Sequence, residues 1–351
     1  MDKPFLAKLR RIDPYVPGEQ PQSADIIKLN ANENPYPPAP GVQQALRSFD
    51  ASRLALYPDA NGKALKTALA DRFGVKPTQV FLGNGSDDVL ALAFQSFFCS
   101  GEPILYPDIT YSFYPVWCDL FRIPYETVPL DENFCVRVRD YDRPNGGIVL
   151  PNPNAPTGRG VSLDFIEDLL QHNADCVVII DEAYVDFGAQ SAVPLIEKYE
   201  NLLVVQTMSK SRSLAGLRIG YALGSETLIA TLEAVKNSYN SYTMDAIALA
   251  AGEAAVADEA YFQETCRKVI ATRERAAEAL RGLGFTVSPS LTNFLFVTHS
   301  KKEAPVIFEY LRQKNIFIRY FKLPRIDNYL RITIGTDAQM DRMIEELRAF
   351  L

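Results

Sequence analysis

Histidine is nearly missing from this chain: only His172 and His299 carry an imidazole among 351 residues. Neither stands in a metal-ligand spacing or beside a serine or cysteine nucleophile signature, which argues against hydrolytic triads and histidine-built metal sites. Proton transfer must then fall to another base. The five cysteines, Cys99, Cys118, Cys135, Cys176 and Cys266, are scattered without a Cys-x-x-Cys pair and read as reduced, mostly packed thiols. No apolar run is long enough to span a bilayer, and Met1–Ala7 lacks the apolar core of a signal peptide, so a cytoplasmic protein with no membrane partner is expected. Positive charge is in deficit, with 36 Lys and Arg against 43 Asp and Glu and a formal net charge of -7. Arg10-Arg11 is only a short cluster, no basic stripe is evident, and nucleic acid is not an expected partner.

What is present is enough apolar material, 47% of the residues, for one large α/β domain plus a smaller one. The amino-terminal arm to about Pro40 is rich in proline and asparagine and reads as extended structure lying over the body. From about Gly41 to Tyr242 strand and helix patterns alternate, which predicts a mainly parallel sheet with helices on both faces. Thr243–Leu280 is alanine-rich and helical, with a long connecting helix through Ala271 and Ala276. Beyond it, strands are expected at Phe285–Val287, Asn293–Val297, Ile316–Arg319 and Leu330–Ile334, and helices at Ala304–Gln313 and Asp337–Phe350. The expected division is an arm, 1–40, contributing to the small domain and the substrate pocket, a large domain, 41–270, and a small α+β domain, 271–351.

Three strand ends carry candidate chemistry. The apolar run Asn201–Thr207 reads as a buried parallel strand, with Lys210 just past its carboxyl end, where open α/β sheets place their ligands. A lysine desolvated there has a lowered pKa suited to imine formation and proton transfer, and Ser209 and Arg218 are spaced to hold a phosphate. Alone, this segment reads equally as a surface lysine in a loop. The run Asp175–Ile180 ends in Asp181-Glu182-Ala183-Tyr184, which by itself is also compatible with a metal site or a solvated strand end. Gly147–Leu150 is a third short strand, followed by the proline-rich turn Pro151–Gly158, rigid by construction. A further strand, Val80–Leu82, leads through Gly83–Asp88 into an apolar helix running to Phe98, whose first amides would bind an anion. An ordinary N-cap by Ser86 or Asp87 is the plainer alternative. Arg319 and Arg331 lie in or at the end of apolar strands, where an unpaired charge is costly, so either an anionic ligand or an ion pair with Asp327 or Asp337 is expected.

Asn154-Ala155-Pro156-Thr157-Gly158, Asp181-Glu182-Ala183-Tyr184 and Ser209-Lys210 with Arg218 resemble, in this order and over nearly the whole chain, the motif set of fold-type I pyridoxal-phosphate aminotransferases. Pro14–Gly18, Leu29–Pro35 and Tyr329–Thr336 resemble the histidinol-phosphate aminotransferase family within that class. The resemblance implies pyridoxal 5'-phosphate as cofactor, Lys210 as its Schiff-base lysine and proton shuttle, Asp181 at the pyridine nitrogen and Tyr184 at the phenolic oxygen. It implies Gly85, Ser86, Asp87, Thr207, Ser209 and Arg218 around the phosphate, and Tyr111 stacked on the ring, although Tyr111 is also readable as one more core aromatic. Tyr57 is similar to the tyrosine that reaches the neighbouring subunit's cofactor phosphate, which implies a homodimer. Tyr15, Asn32, Arg319 and Arg331 are implied in substrate binding, with Asn293 a further candidate, and the two arginines would hold a phosphate or a carboxylate.

One position departs from the family. Most relatives carry asparagine directly before the proline of the Pro-Thr-Gly turn, in contact with the phenolic oxygen, whereas this chain has Ala155. Either Asn154 reaches in from one residue earlier or Tyr184 bears the contact alone. The activity implied is ping-pong transamination between L-histidinol phosphate and 2-oxoglutarate, in histidine biosynthesis. An aromatic amino-acid aminotransferase, a threonine-phosphate decarboxylase and a non-catalytic cofactor-binding protein are the alternatives.

Overall fold

The structure is a computed structural model that describes residues 4–16, 18–21 and 25–351. The Met1–Ala7 and Pro14–Gly18 readings fall partly outside the described residues, at residues 1–3 and at Pro17. In chain order the strands are β1 (Ile27–Lys28), β2 (Val80–Gly83), β3 (Ile104–Pro107), β4 (Tyr125–Val128), β5 (Ile148–Pro151), β6 (Val178–Asp181), β7 (Leu202–Thr207) and β8 (Gly220–Gly224). They continue with β9 (Phe285–Val287), β10 (Phe294–His299), β11 (Ile316–Phe317), β12 (Arg319–Tyr320) and β13 (Leu330–Thr333).

The main sheet has seven strands in the order β2-β8-β7-β6-β5-β3-β4. Every residue of β5, β6 and β7 is buried, which is why these strands read as unbroken apolar runs rather than alternating ones. Alternate side chains feed two cores: Leu150, Ile180 and Val204 meet Ile166 and Leu169 on one face, while Val149, Ile179 and Val205 meet Phe94 and Trp117 on the other. Helices cover both faces, and Ser162, Ser225 and Asp245 cap three of them by accepting from the amides of Phe165, Leu228 and Ala248.

The sheet is parallel except at β8, which runs antiparallel to both β7 and β2. A parallel return beside β7 would need a crossover of a dozen or more residues, usually helical. The segment 208–219 folds back on itself instead, Met208 N donating to Ile219 O at 2.9 Å and Leu214 N to Met208 O at 3.0 Å. Lys210 therefore sits on a short, doubly tied loop rather than at the start of a helix.

The Thr243–Leu280 stretch breaks at Asp258 into two helices, Ala246–Ala257 and Glu259–Gly282, and Asp258 caps the second through the Tyr261 amide. From Phe262 onward the longer helix contributes Cys266, Val269, Ala276, Ala277 and Leu280 to a separate core. That core lies under an antiparallel sheet of order β12-β13-β10-β9 and is closed by the Ala304–Gln313 and Asp337–Phe350 helices. The residue 270 boundary expected from sequence thus falls inside a helix that joins the second core earlier.

The expected strand Ile316–Arg319 is divided in the structure. Ile316 and Phe317 pair in parallel with Ile27 and Lys28 of the arm, whereas Arg319 and Tyr320 pair with β13. The cause is the arm itself: Leu29 N donates to Phe317 O at 2.7 Å and Thr333 N donates to Leu29 O at 3.0 Å. The arm therefore threads between β11 and β13 and places residues 30–32 beside the strand ends of the main sheet. No helix of the described residues is long and apolar enough to cross a membrane.

Candidate active site

The carboxyl ends of β5, β6 and β7 meet in one cavity of about 230 Å³, open to solvent at its mouth. Pro151, Asp181 and Thr207 line it from the main sheet, Ser86 and Asp87 from a helix start, Lys210 and Arg218 from the β7–β8 loop, and Arg319 and Arg331 from the small sheet. The arm supplies Tyr15, Gly18, Asn30 and Asn32, so all three expected parts of the chain contribute.

Asp181 is the last residue of β6 and is 5% exposed. Its carboxylate accepts from Tyr114 Oη–H at 2.7 Å and from the Ala183 amide at 3.2 Å. Burial pushes its pKa up to about 6, against the lowering effect of those two donors and with a further push from the charge of Asp87. A carboxylate held this way calls for a cation beside it. Glu182, the next residue, points away from the cavity and is bonded by Ser191 Oγ, the Ala192 amide and Gln206 Nε2.

At the other side of the cavity is an anion cradle. Gly85 precedes the Ser86–Phe97 helix with φ +88°, a conformation that favours glycine, and a Cβ there would lie 2.5 Å from Arg218 Nη2. Gly220 approaches even more closely: its Cβ would meet the Gly85 carbonyl carbon and the Ser86 amide nitrogen at 2.3 Å. The helix start, whose first amides have no acceptor within the helix, is thereby pressed against β8. Arg218 stands over it, 3.2 Å from Asp87 and 3.4 Å from Ser209 Oγ. Tyr111 donates to Asp87 Oδ1 at 2.8 Å and meets Tyr114 edge-on at 5.7 Å between ring centroids.

Lys210 is half-buried, with Nζ 3.3 Å from the Ala31 carbonyl and 5.8 Å from the Tyr184 ring centroid. A third charged region lies on the small sheet. Arg319 and Arg331 are register partners on β12 and β13, an arrangement in which like charges repel. Neither makes an ion pair among the described residues, and Asp337 pairs with Arg275 instead. Arg331 is half-buried, donates Nη2 to the Asn30 carbonyl at 3.0 Å and holds its Nε inaccessible to solvent, with no partner for it among the described residues. Burial pulls its pKa down, and the neighbouring Arg319 adds to that pull. Two unneutralised guanidinium groups opening on one cavity are a receptor for a second anion.

Asn154, Tyr57 and Asn293, singled out from sequence, do not line this cavity. Asn154 is buried, but its amide donates to the Ile109 carbonyl and to Thr157 Oγ1, both at 2.9 Å, while its oxygen accepts from Thr110 Oγ1. Ala155 lines the cavity in its place, so Asn154 does not reach in. Tyr57 is 81% exposed and stacks on Tyr242 at 4.5 Å, outside the cavity of its own chain. Asn293 is buried and donates to the Asn32 carbonyl at 2.9 Å, a structural task.

Sequence reasoning missed Tyr114, Phe113 and Thr333. Phe113 stacks with Tyr15 at 4.3 Å and fixes its ring at the cavity wall. The first two carry no signal beyond being aromatic. Thr333 was legible, because period 2 puts it on the same face of β13 as Arg331.

The donor set fits pyridoxal phosphate: a buried carboxylate for a ring nitrogen, a helix start with Arg218 and Ser209 for a phosphate, and a lysine for an aldehyde. Fold and site together define a class of enzyme, the aminotransferases. The chain belongs to the family of class I and II aminotransferases, whose model matches residues 24–347. It is 55% identical over 344 residues to a histidinol-phosphate aminotransferase of Acinetobacter baumannii strain SDF, covering 97% of this chain and 95% of that one. It is 54% identical over 349 residues to the histidinol-phosphate aminotransferase of Chromohalobacter salexigens, covering 99% of both. Among solved structures it is similar to the Sinorhizobium meliloti histidinol-phosphate aminotransferase in complex with pyridoxal-5'-phosphate, with a TM-score of 0.84, 27% identity and coverage of 93% and 92%.

The cofactor-free protein carries a pH signature. Because the Asp181 pKa is raised from 3.8 to about 6, the folded state holds more protons than the unfolded one between those values, and stability falls as pH rises through that window. Asp181→Asn removes this term, by up to about 3 kcal/mol at pH 8. Thermal melts of apoprotein from pH 4 to 8 should show wild type losing ground to the variant as pH rises. Parallel curves would contradict the buried-charge assignment.

Proposed function

We propose that this chain is a pyridoxal-phosphate-dependent transaminase that interconverts L-histidinol phosphate and 2-oxoglutarate with imidazole-acetol phosphate and L-glutamate, in histidine biosynthesis. The observation that carries it is the pair Arg319 and Arg331, unneutralised and opening on the same cavity as Lys210 and Asp181. Such a pair suits a substrate with an anionic group remote from its amine. Identity of 54–55% to histidinol-phosphate aminotransferases over nearly the whole chain supports the choice of that anion as a phosphate.

Pyridoxal phosphate, when bound, supplies an electron sink for the pair released at the substrate's α-carbon. Asp181 would hold a proton on the pyridine nitrogen, and Tyr114 and the Ala183 amide fix the carboxylate for that task. The Ser86 and Asp87 amides, Ser209 Oγ and Arg218 would hold the phosphate, with Gly85 and Thr207 shaping the cradle, and Tyr111 would face the ring. Tyr184 donates its hydroxyl proton to the phenolic oxygen. Lys210 Nζ takes and returns the α-proton, a role the scarcity of histidine leaves to it. Arg331 and Arg319 orient the substrate's phosphate, and the carboxylate of glutamate in the second half of the cycle. Tyr15 and Asn32 close the pocket from the arm.

The active unit is read as a homodimer. Leu54, Leu56, Tyr57, Tyr239 and Tyr242 are exposed apolar side chains of the main-sheet part, and a partner covering them would receive Tyr57 at its own cofactor phosphate. The partners are otherwise small molecules, with neither nucleic acid nor membrane among them. All five cysteines are free thiols, which supports a cytoplasmic location.

Lys210→Ala should abolish turnover while cofactor is retained non-covalently, and near-normal turnover would refute the lysine's role. Arg331→Gln should raise KM for histidinol phosphate about 100-fold, the loss of one charged contact to phosphate. An unchanged KM would remove the phosphate receptor from the account. Tyr57→Phe should weaken cofactor retention about tenfold with the dimer intact by sedimentation, as one hydrogen bond withdrawn predicts. A monomeric wild type would overturn the dimer reading.

A further inference from the structure

Tyr184 is held from outside the main sheet. Its hydroxyl oxygen accepts from Asn32 Nδ2 at 2.9 Å. Asn32 Oδ1 in turn accepts from Thr333 Oγ1 at 3.0 Å, and Thr333 Oγ1 accepts from the Asn32 amide, also at 3.0 Å. The Asn32 carbonyl takes Asn293 Nδ2 at 2.9 Å, so the residue is fixed at backbone and side chain alike, with φ +54°.

This closed set of bonds decides which way the Asn32 amide faces. Thr333 Oγ1 already accepts from the Asn32 N–H, so its own proton needs an acceptor, and the only amide atom that can serve is Oδ1. A flipped amide would strand that proton in a buried place. The unflipped amide therefore presents Nδ2 to Tyr184, fills a lone pair of the hydroxyl oxygen and cannot take the hydroxyl proton. The Tyr184 proton is left to point into the cavity.

We propose that Asn32, oriented by Thr333, is a positioning residue that commits the Tyr184 proton to the cofactor's phenolic oxygen. It thereby makes good the contact that Ala155 cannot supply. The Asn32 amide is engaged by Tyr184 and Thr333, so it acts on the cofactor through Tyr184 rather than on the substrate. The inference rests on the pyridoxal-phosphate reading above, and it ties the small sheet to the electronics of the site, since Thr333 belongs to β13 and Tyr184 follows β6.

The test is a pH titration of the bound cofactor's absorbance in holoenzyme. A proton donated by Tyr184 lowers the midpoint of that transition, so Tyr184→Phe sets the size of the loss. Thr333→Val, which removes both the donor to Oδ1 and the acceptor of the Asn32 amide, should raise the midpoint by about one pH unit, a hydrogen bond's worth. Thr333→Ser restores the hydroxyl and should return the wild-type midpoint, which separates the effect from damage to the fold. The double variant with Tyr184→Phe should shift no further than Tyr184→Phe alone, because both act on one proton. A Thr333→Val midpoint equal to wild type, or a shift that adds to that of Tyr184→Phe, would overturn the inference and leave the cofactor reading intact. A wild type that forms no cofactor band when reconstituted would overturn both.

Discussion

The rest of the structure is arranged around charges that this chain does not neutralise by itself. Asp181 is buried at the end of β6 with its pKa pushed up by burial, and Arg331 is half-buried on β13 with its pKa pulled down by desolvation. An uncompensated charge in such a place costs several kcal/mol, so its persistence marks a ligand that supplies the counter-charge. The two sites differ in sign, which fixes the polarity of what lies between them: a cationic ring nitrogen near the carboxylate and an anionic group near the arginines. The anion cradle of Gly85, Ser86 and Arg218 adds a third point, so one cavity carries a carboxylate, an anion cradle and an arginine pair.

The fold makes this possible by bringing distant segments to one sheet edge. Parallel order puts the ends of β5, β6 and β7 side by side, Pro151 opposite Asp181 and Asp181 opposite Val205. The antiparallel β8 returns the chain next to β7, which keeps Lys210 and Arg218 on one short loop and presses Gly220 onto the cradle. The arm does the equivalent for the small sheet. By threading between β11 and β13 it carries Asn30 to Arg331 and Asn32 to Tyr184, and so bonds the arginine end of the cavity to the Tyr184 end.

The strand ends are legible in the sequence because Asn201–Thr207 and Asp175–Ile180 are apolar runs, with Lys210 and Asp181 at their carboxyl ends. Each is ambiguous alone; the ordered motif set, with Arg218 eight residues after Lys210, is what narrows the reading. The place of Asn154 was not legible, because its partners Ile109 and Thr110 come from a loop some 45 residues upstream that no local pattern announces. The division of Ile316–Arg319 was hidden for the same reason, since the arm that splits it is nearly 290 residues away in sequence. Asn32 was seen as a pocket residue, but its role depends on which of its two amide atoms faces Tyr184, and that is set by Thr333.

One cavity is proposed to join Lys210 and Asp181 to a receptor for a phosphorylated substrate. The most direct test of this proposal follows the cofactor absorbance of the purified protein as histidinol phosphate, glutamate or phenylalanine is added without an acceptor. Histidinol phosphate and glutamate should convert it rapidly to the pyridoxamine form, and phenylalanine only sluggishly. Preference for phenylalanine would contradict the proposal, because Arg319 and Arg331 would then have no phosphate to hold.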